Sequence, residues 1–425
     1  MNQQVDVRTS VADQARLAKQ AARRWALATR EEKDEALIAM ARRLKQDEAE
    51  ILSANREDLS AAQAEGRPES YLDRLRLTPQ RIDELVESLE ALAALPDPIG
   101  ETIERWTRPN GLVIQSVRVP LGVIGMVYEA RPNVTVDATG IALKTGNAIV
   151  LRGSRSAKRS NLALVHSMRT ALQSRNMPHE AVQYLLADQH ESVDALCTLN
   201  GLIDVIIPRG GADLIQRVVR KSTVPVLETG VGNCHLFVDE SARYEMAEAI
   251  VLNAKTSRPS VCNAAETLLI HSDWPREQTL ALLRRLAEAG VELRACERTR
   301  DRCPELAALL KPASEEDWQT EYLELIIAVR TVDSLEAALA HVEQYGSGHS
   351  EAIITENEEN ARRFLAAVDA AAVYHNASTR FTDGGQFGFG AEIGISTQKI
   401  HARGPMGLRA LTSHKYQILG TGQIR

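Results

Sequence analysis

The sequence predicts an α/β protein made of two doubly wound α/β domains, with a small β-arm outside both. Three observations carry this. From residue 119 onward, short apolar runs alternate with stretches of helical periodicity. The alternation halts near 225–232 and then starts again. An Asn110-Gly111 pair between two strand-like runs belongs to neither series, and that pattern signals a hairpin.

Residues 8–95 are expected to be helical. Ala36, Leu37, Met40, Ala41 and Leu44 recur at helical spacing, as do Ile82, Leu85, Val86 and Leu89. Pro96 and Pro98 close that region. Residues 100–119 form the hairpin, with Thr102-Ile103-Glu104-Arg105-Trp106 and Leu112-Val113-Ile114-Gln115-Ser116-Val117 flanking Pro109-Asn110-Gly111. Strands at 119–128, 148–151, 181–187 and 204–208 then alternate with helices at 134–144, 162–173 and 214–220. Short, wholly apolar strands of this kind indicate a parallel sheet covered on both faces. The second series has strands at 234–238, 267–271, 291–294, 325–329, 352–355 and 371–375. Its helices fall at 242–256, 278–289, 335–345 and 357–367. The expected organisation is therefore 1–99 with 119–226 as one domain and 227–400 as the other. Residues 100–118 and 401–425 supply the arm and a tail that returns to it.

The 425 residues, 44% of them hydrophobic, suffice for two or three full cores. A net charge of -7 and the lack of a long basic stripe argue against nucleic-acid binding. The cysteines, Cys197, Cys234, Cys262, Cys296 and Cys303, are odd in number and show no Cys-x-x-Cys pairing. A reducing compartment without disulfides or structural metal is the expectation. Residues 1–16 are polar and mixed in charge, unlike a signal peptide. No apolar run approaches the roughly 20 residues of a membrane span. A cytoplasmic enzyme is expected.

Chemistry concentrates in a few places. Cys262 lies in Arg258-Pro259-Ser260-Val261-Cys262-Asn263, between a helical stretch and a strand. A thiol on such a turn is open to a substrate, and Arg258 and Lys255 could favour its thiolate. On spacing alone it is as compatible with the small buried hydrophobe that most free cysteines are. Arg152-Gly153-Ser154-Arg155-Ser156 follows one strand, and Arg209-Gly210-Gly211-Ala212-Asp213 follows another and opens a helix. Ligands of doubly wound folds bind at such strand ends, and glycines let backbone N–H groups approach a phosphate. G-x-G-x-x-G is absent, and each loop is equally compatible with an ordinary turn. Asn133, in Ala130-Arg131-Pro132-Asn133, fits either an N-cap or an amide donor to an oxyanion.

Four blocks carry a resemblance; three are the two just quoted around Asn133 and Cys262, and Asp383-Gly384-Gly385-Gln386-Phe387-Gly388-Phe389-Gly390 continuing to Thr397. A fourth, the most specific, runs from Val332-Asp333-Ser334-Leu335-Glu336 to Gly346-Ser347-Gly348-His349-Ser350-Glu351-Ala352-Ile353. Essentially end to end, the sequence resembles the gamma-glutamyl phosphate reductases, a branch of the aldehyde dehydrogenase superfamily. The resemblance implies an aldehyde-dehydrogenase-like fold whose arm and tail form a homo-oligomer interface. It implies NADPH-dependent reduction of L-glutamyl 5-phosphate to L-glutamate 5-semialdehyde, in proline biosynthesis, through a cysteine thioester. Cys262 would be the nucleophile, with its backbone N–H and Asn133 forming the oxyanion hole. Arg152, Ser154, Arg155, Arg209, Gly210 and Gly211 would hold NADPH/NADP, with Arg155 facing the 2′-phosphate. No metal is implied. Arg131, Lys144, Arg258, Arg380 and Arg403 are candidates for the substrate's carboxylate and phosphate. Within the signature, His341 is expected to pack rather than react. The expected partners are the small-molecule substrate and, in transient contact, glutamate 5-kinase. Two other readings remain open. One is a hydrolytic aldehyde dehydrogenase using Glu228 as base, and the other is a non-catalytic relative that only assembles.

Overall fold

A computed structural model describes residues 7–186 and 190–425. The chain divides into two units. The first runs to Thr229 and takes back Gly388–Gly394 and Met406–Arg425. The second is Gly230–Phe387 with Ile395–Pro405. The boundary thus falls three residues after the expected one, and the late segments are shared between the units.

The first unit opens with helices α1 (Val7–Trp25), α2 (Arg30–Gln46), α3 (Glu48–Ala64), α4 (Glu69–Leu75) and α5 (Pro79–Ala94). Local signals explain their ends. Thr29 and Glu32 form a reciprocal capping box at the start of α2. The Thr78 side chain caps α5, with Pro79 at the first helical position. The apolar rows expected from periodicity, Ala36 to Leu44 and Ile82 to Leu89, are buried, except for half-buried Val86.

Two antiparallel strands follow, β1 (Thr102–Thr107) and β2 (Val113–Pro120), with Gly111 at φ 86° in their turn. The chain's last strand, Thr412–Leu419, pairs with β2 along its whole length. The tail therefore returns to the arm, as expected. Every residue of β1 is exposed.

The four-stranded sheet contains β3 (Val123–Tyr128), β4 (Ala148–Arg152), β5 (Val182–Tyr184) and β6 (Val205–Arg209), ordered β5-β4-β3-β6 with all pairs parallel. Helices α6 (Pro132–Lys144), α7 (Lys158–Ser174), α8 (His190–Leu196) and α9 (Ala212–Lys221) connect the strands. The run 119–128 is two strands rather than one. Gly122 breaks it at φ 126°, and a Cβ there would lie 2.1 Å from an Asp204 carboxylate oxygen. That carboxylate accepts from the Val123 N–H at 2.7 Å, which fixes where β3 begins. The strand expected over 181–187 is only β5, and its last expected residue, Ala187, lies outside the described residues. Helix α7 starts four residues before 162, where the Asp58 carboxylate accepts from both the backbone and the hydroxyl of Ser160.

The second unit holds a seven-stranded sheet of β7 (Cys234–Val238), β8 (Ala265–His271), β9 (Glu292–Ala295), β10 (Leu310–Pro312), β11 (Ile326–Val332), β12 (Ser350–Ile354) and β13 (Ala372–His375). Their order is β10-β9-β11-β8-β7-β12-β13, parallel throughout. β7, β8 and β12 are buried at every residue, as a parallel sheet covered on both faces requires. Helices α10 (Tyr244–Thr256), α11 (Arg276–Glu288), α12 (Glu297–Arg302), α13 (Leu335–Tyr345) and α14 (Glu358–Ala367) provide the cover. The short β10 and α12 were not apparent from periodicity, because neither spans two full periods of its pattern. Among the described residues no helix is long and apolar enough to cross a membrane.

Candidate active site

Cys262 sits where its neighbours in sequence suggest, on a turn between the end of α10 and the start of β8, half-buried. Nearby elements hold the turn on several sides. Cys234, wholly buried at the start of β7, donates its thiol hydrogen to the Cys262 carbonyl at 3.2 Å. The backbone of Gly232 packs directly on that carbonyl, and a Cβ on Gly232 would lie 1.6 Å from it, so only glycine fits. The next residue, Asn263, donates its amide to the Thr382 carbonyl at 2.9 Å, and its own carbonyl accepts from the Thr379 hydroxyl at 2.7 Å.

Two arginines border this turn. Arg258 is exposed. Arg380 donates to the side-chain carbonyl of Asn263 and, at 3.1 Å, to the Ser257 hydroxyl. Burial and then the Arg258 charge push the Arg380 pKa down, against the opposing pull of Asp383 and the Cys262 sulfur. Two guanidinium groups close to each other, with Arg380 close to the thiol, favour an anion, either the thiolate or a substrate phosphate or carboxylate.

Lys255 is different from what its position suggests. It is wholly buried and bonded at 2.6 Å to Glu266, itself wholly buried. Its charge is committed to that carboxylate and not to Cys262. Burial raises the Glu266 pKa to about 7, partly offset by Lys255. Glu321 is also raised by burial, and its carboxylate accepts from the Gly232 N–H at 2.8 Å. Burial and the surrounding carboxylates, led by Glu351, push the Cys234 thiol well above the usual range, so it stays a donor. Sequence reasoning passed over Cys234, Asn263, Glu266 and Glu321. The signal available was Gly230-Val231-Gly232, a pair of glycines where a backbone must come close.

In the first unit, β3 leads into α6 through Ala130 at φ 40°, an uncommon conformation for a residue with a Cβ. Ser154, just after β4, accepts from the Ala130 N–H at 3.2 Å. Asn133 is not the N-cap of α6; Arg131 is, with Pro132 after it. The exposed Asn133 amide instead donates to Asp137 at 3.1 Å. Burial lifts the Asp137 pKa to about 6, while Asn133, Ser88 and the Arg209 charge favour its ionised form. Arg155 is exposed after β4. Arg152 turns inward, donating at 3.2 Å to both the Ser192 hydroxyl and the Gly153 carbonyl. Arg209 ends β6, and Gly210 and Gly211 lead into α9. The Gly211 N–H already donates to Glu129 at 3.1 Å. The α9 amino end, which suits an anion, is thus met by a carboxylate, with which an incoming phosphate would compete.

One substrate candidate is corrected. Lys144 is wholly buried and bonds Asp34 and, at 2.9 Å, the Ala93 carbonyl; it ties helices together. Arg403 is half-buried, pairs with the exposed Asp369 at 2.8 Å, and stays a candidate. His341 packs as expected. It is buried against the rings of His235, Trp318 and Tyr345, and burial lowers its pKa to about 3, which keeps it neutral.

Residues 3–301 match the model of the aldehyde dehydrogenase family. The chain is 56% identical over 419 residues to gamma-glutamyl phosphate reductase 1 of Bacillus licheniformis, covering 98% of this chain and 100% of that protein. It is 56% identical over 413 residues to gamma-glutamyl phosphate reductase of Geobacillus kaustophilus, covering 97% and 98%. The crystal structure of gamma-glutamyl phosphate reductase from Thermotoga maritima superposes with a TM-score of 0.95 at 48% identity, covering 98% of this chain and 100% of that one. An acetylating aldehyde dehydrogenase from Geobacillus thermoglucosidasius, 18% identical, shares the fold with a TM-score of 0.69, covering 99% and 98%. The chain belongs to the aldehyde dehydrogenase family of nicotinamide-dependent oxidoreductases, on the branch of its gamma-glutamyl phosphate reductase relatives.

Proposed function

We propose that the chain catalyses the NADPH-dependent reduction of L-glutamyl 5-phosphate to L-glutamate 5-semialdehyde with release of phosphate, in proline biosynthesis. End-to-end identity of 56% to a reductase of that name carries this reading. The site chemistry agrees with it. The Cys262 thiolate attacks the acyl carbon, the bond to the phosphate oxygen breaks, and a thioester forms. Covalent attachment splits one difficult reduction into two easier steps. NADPH, when bound, supplies the hydride that converts the thioester to a thiohemiacetal anion. The developing oxyanion is assigned to the Cys262 backbone N–H, and Asn133 keeps the amide-donor role that the resemblance implies. Collapse then returns the thiolate and frees the aldehyde. Arg258 and Arg380, beside the thiol, receive the anionic ends of the substrate; Arg131 remains a candidate for the same role.

Cofactor binding is assigned to the first unit. Arg155, exposed just after β4, fits a 2′-phosphate, which a guanidinium can hold bidentately. Ser154, Arg209, Gly210 and Gly211 line the remaining contacts, and Arg152 acts from behind by shaping the loop. The arm is proposed as the homo-oligomer interface, because β1 is exposed throughout and Trp106, Tyr416 and Ile418 stay exposed on its sheet.

The test is the reverse reaction. Semialdehyde and NADP should yield NADPH only when inorganic phosphate is present. Equal rates without phosphate would overturn the reading in favour of a hydrolytic dehydrogenase.

A further inference from the structure

The hydrogen bonds around Cys262 close on themselves. Cys234 Sγ donates to the Cys262 carbonyl at 3.2 Å and lies 3.7 Å from His349 Nδ1. The same ring nitrogen is 2.8 Å from Ser350 Oγ, which is 2.6 Å from Thr382 Oγ1. The backbone carbonyl of Thr382 accepts from the Asn263 amide at 2.9 Å, and Asn263 directly follows Cys262. The circuit begins and ends on the turn that carries Cys262. Cys234, Asn263, His349, Ser350 and Thr382 are all buried. A buried polar group that loses its partner is costly, so each contact resists displacement of the next. A turn outside regular structure has no ladder of backbone bonds to hold it, and here the ring performs that task. His349 and Ser350 also belong to the signature segment, for which the proposed reaction otherwise gives no use.

We propose that Cys234, His349 and Ser350 are positioning residues that fix the peptide of Cys262, so that its sulfur and backbone N–H keep one orientation toward the substrate carbonyl. The proposal rests on the reading of Cys262 as nucleophile. Cys234 does not touch the substrate in this scheme; it acts through the Cys262 carbonyl. Burial first, and then the charges of Glu351, the Cys262 sulfur, Glu266 and Glu321, keep the Cys234 proton in place. The contact is therefore a thiol donor over the working pH range.

The test compares Cys234→Ala, Cys234→Ser and Ser350→Ala in the phosphate-dependent reverse assay, with melting temperatures and site-mapped alkylation of Cys262 by iodoacetamide. Cys234→Ala should lower kcat about tenfold to a hundredfold, since displacements of about an ångström suffice for that loss. KM for semialdehyde and NADP should stay within about twofold, because ground-state binding is untouched. Cys234→Ser keeps a donor and should recover most of kcat. Ser350→Ala, which removes a link with no contact to Cys262, should show the same kcat-selective loss. Both alanine variants should change the rate of Cys262 alkylation. The proposal is overturned if both alanine variants keep wild-type kcat and alkylation rate. It is also overturned if Cys234→Ser is as impaired as Cys234→Ala while both melt lower, which would mean packing alone. Alkylation reads the geometry of the turn without using catalysis. Full turnover by Cys262→Ser would therefore fail the nucleophile reading separately, while unchanged kcat and alkylation rates in both alanine variants fail the ring.

Discussion

The turn that carries Cys262 and the loop that carries Arg155 are held in contrasting ways. The first is pinned through its own reactive residue: Cys234 and Gly232 bear on the Cys262 carbonyl, and Thr379 and Thr382 bear on Asn263. The second is pinned around its key residue and leaves it exposed. Ser154 bonds the Ala130 N–H, Ser156 bonds the Tyr71 hydroxyl at 2.6 Å, and the Arg155 side chain projects into solvent. The difference matches the two tasks. A group that must form and break a covalent bond needs a fixed approach geometry. A group that recognises a charge on a large cofactor can be ordered by the cofactor itself. Disturbing the first region should therefore affect rate, and disturbing the second should affect selectivity.

The largest expected effect lies at Cys262 itself. Cys262→Ser should lower turnover by more than about a thousandfold, because a hydroxyl without a dedicated base is a poor nucleophile and loss of a catalytic group is usually that severe. Its affinity for NADP, measured by fluorescence titration, should not change. Turnover above about a hundredth of wild type would dissolve the contrast, since no covalent chemistry would then depend on the pinned turn.

A step smaller is the buried charge behind the turn. Lys255→Met leaves Glu266 in the core without its cation, which typically costs about 3–5 kcal/mol. The sign of its pH dependence follows from Glu266, whose pKa is raised to about 7 from an ordinary 4.5. The folded state therefore favours the protonated acid. Stability falls as pH rises from about 4.5 through 7, since the unfolded chain ionises first. Removing Lys255 removes the charge that favours the carboxylate and carries this fall to higher pH. Denaturant midpoints should accordingly separate mutant and wild type more at pH 8 than at pH 5.5. Lys255→Met combined with Glu266→Leu should recover much of the loss. A penalty independent of pH would show that the pair is not electrostatically coupled.

These residues also show what a sequence can and cannot disclose. The position of Cys262 on an irregular turn was legible, because a helical period ends and an apolar strand begins within a few residues. So was the arm, because Asn110-Gly111 has a mechanism of its own. Lys144 and Lys255 were not legible as structural cations. Lys144 is matched by Asp34, 110 positions earlier, and Lys255 by Glu266, 11 positions later. Periodicity carries no information about such pairings, so Lys144 read as a substrate ligand and Lys255 as a partner of the thiolate. The break between β2 and β3 was hidden for the same reason, since it depends on Asp204. The name of the substrate came from the resemblance; neither spacing nor composition contains it.

The smallest expected effect is on the other side of the comparison. Arg155 is exposed, and the loop around it is held by Ser154 and Ser156. Replacing it should therefore cost little stability, within about 0.5 kcal/mol as for surface changes elsewhere. If Arg155 meets the 2′-phosphate, Arg155→Glu exchanges a bidentate attraction for a like-charge repulsion. The cofactor's remaining contacts are unchanged, so NADH, which lacks that phosphate, should be used about as well as before. The ratio of kcat/KM for NADPH to that for NADH should fall at least about tenfold, equivalent to roughly 1.4 kcal/mol. Arg155→Lys keeps the charge but loses the planar fork, and should fall between the two. An unchanged ratio in Arg155→Glu would move the selectivity elsewhere in the first unit, with Arg209 as the next cation to replace. A large loss of kcat with both cofactors would instead mean that this loop, like the Cys262 turn, is held for the chemistry itself.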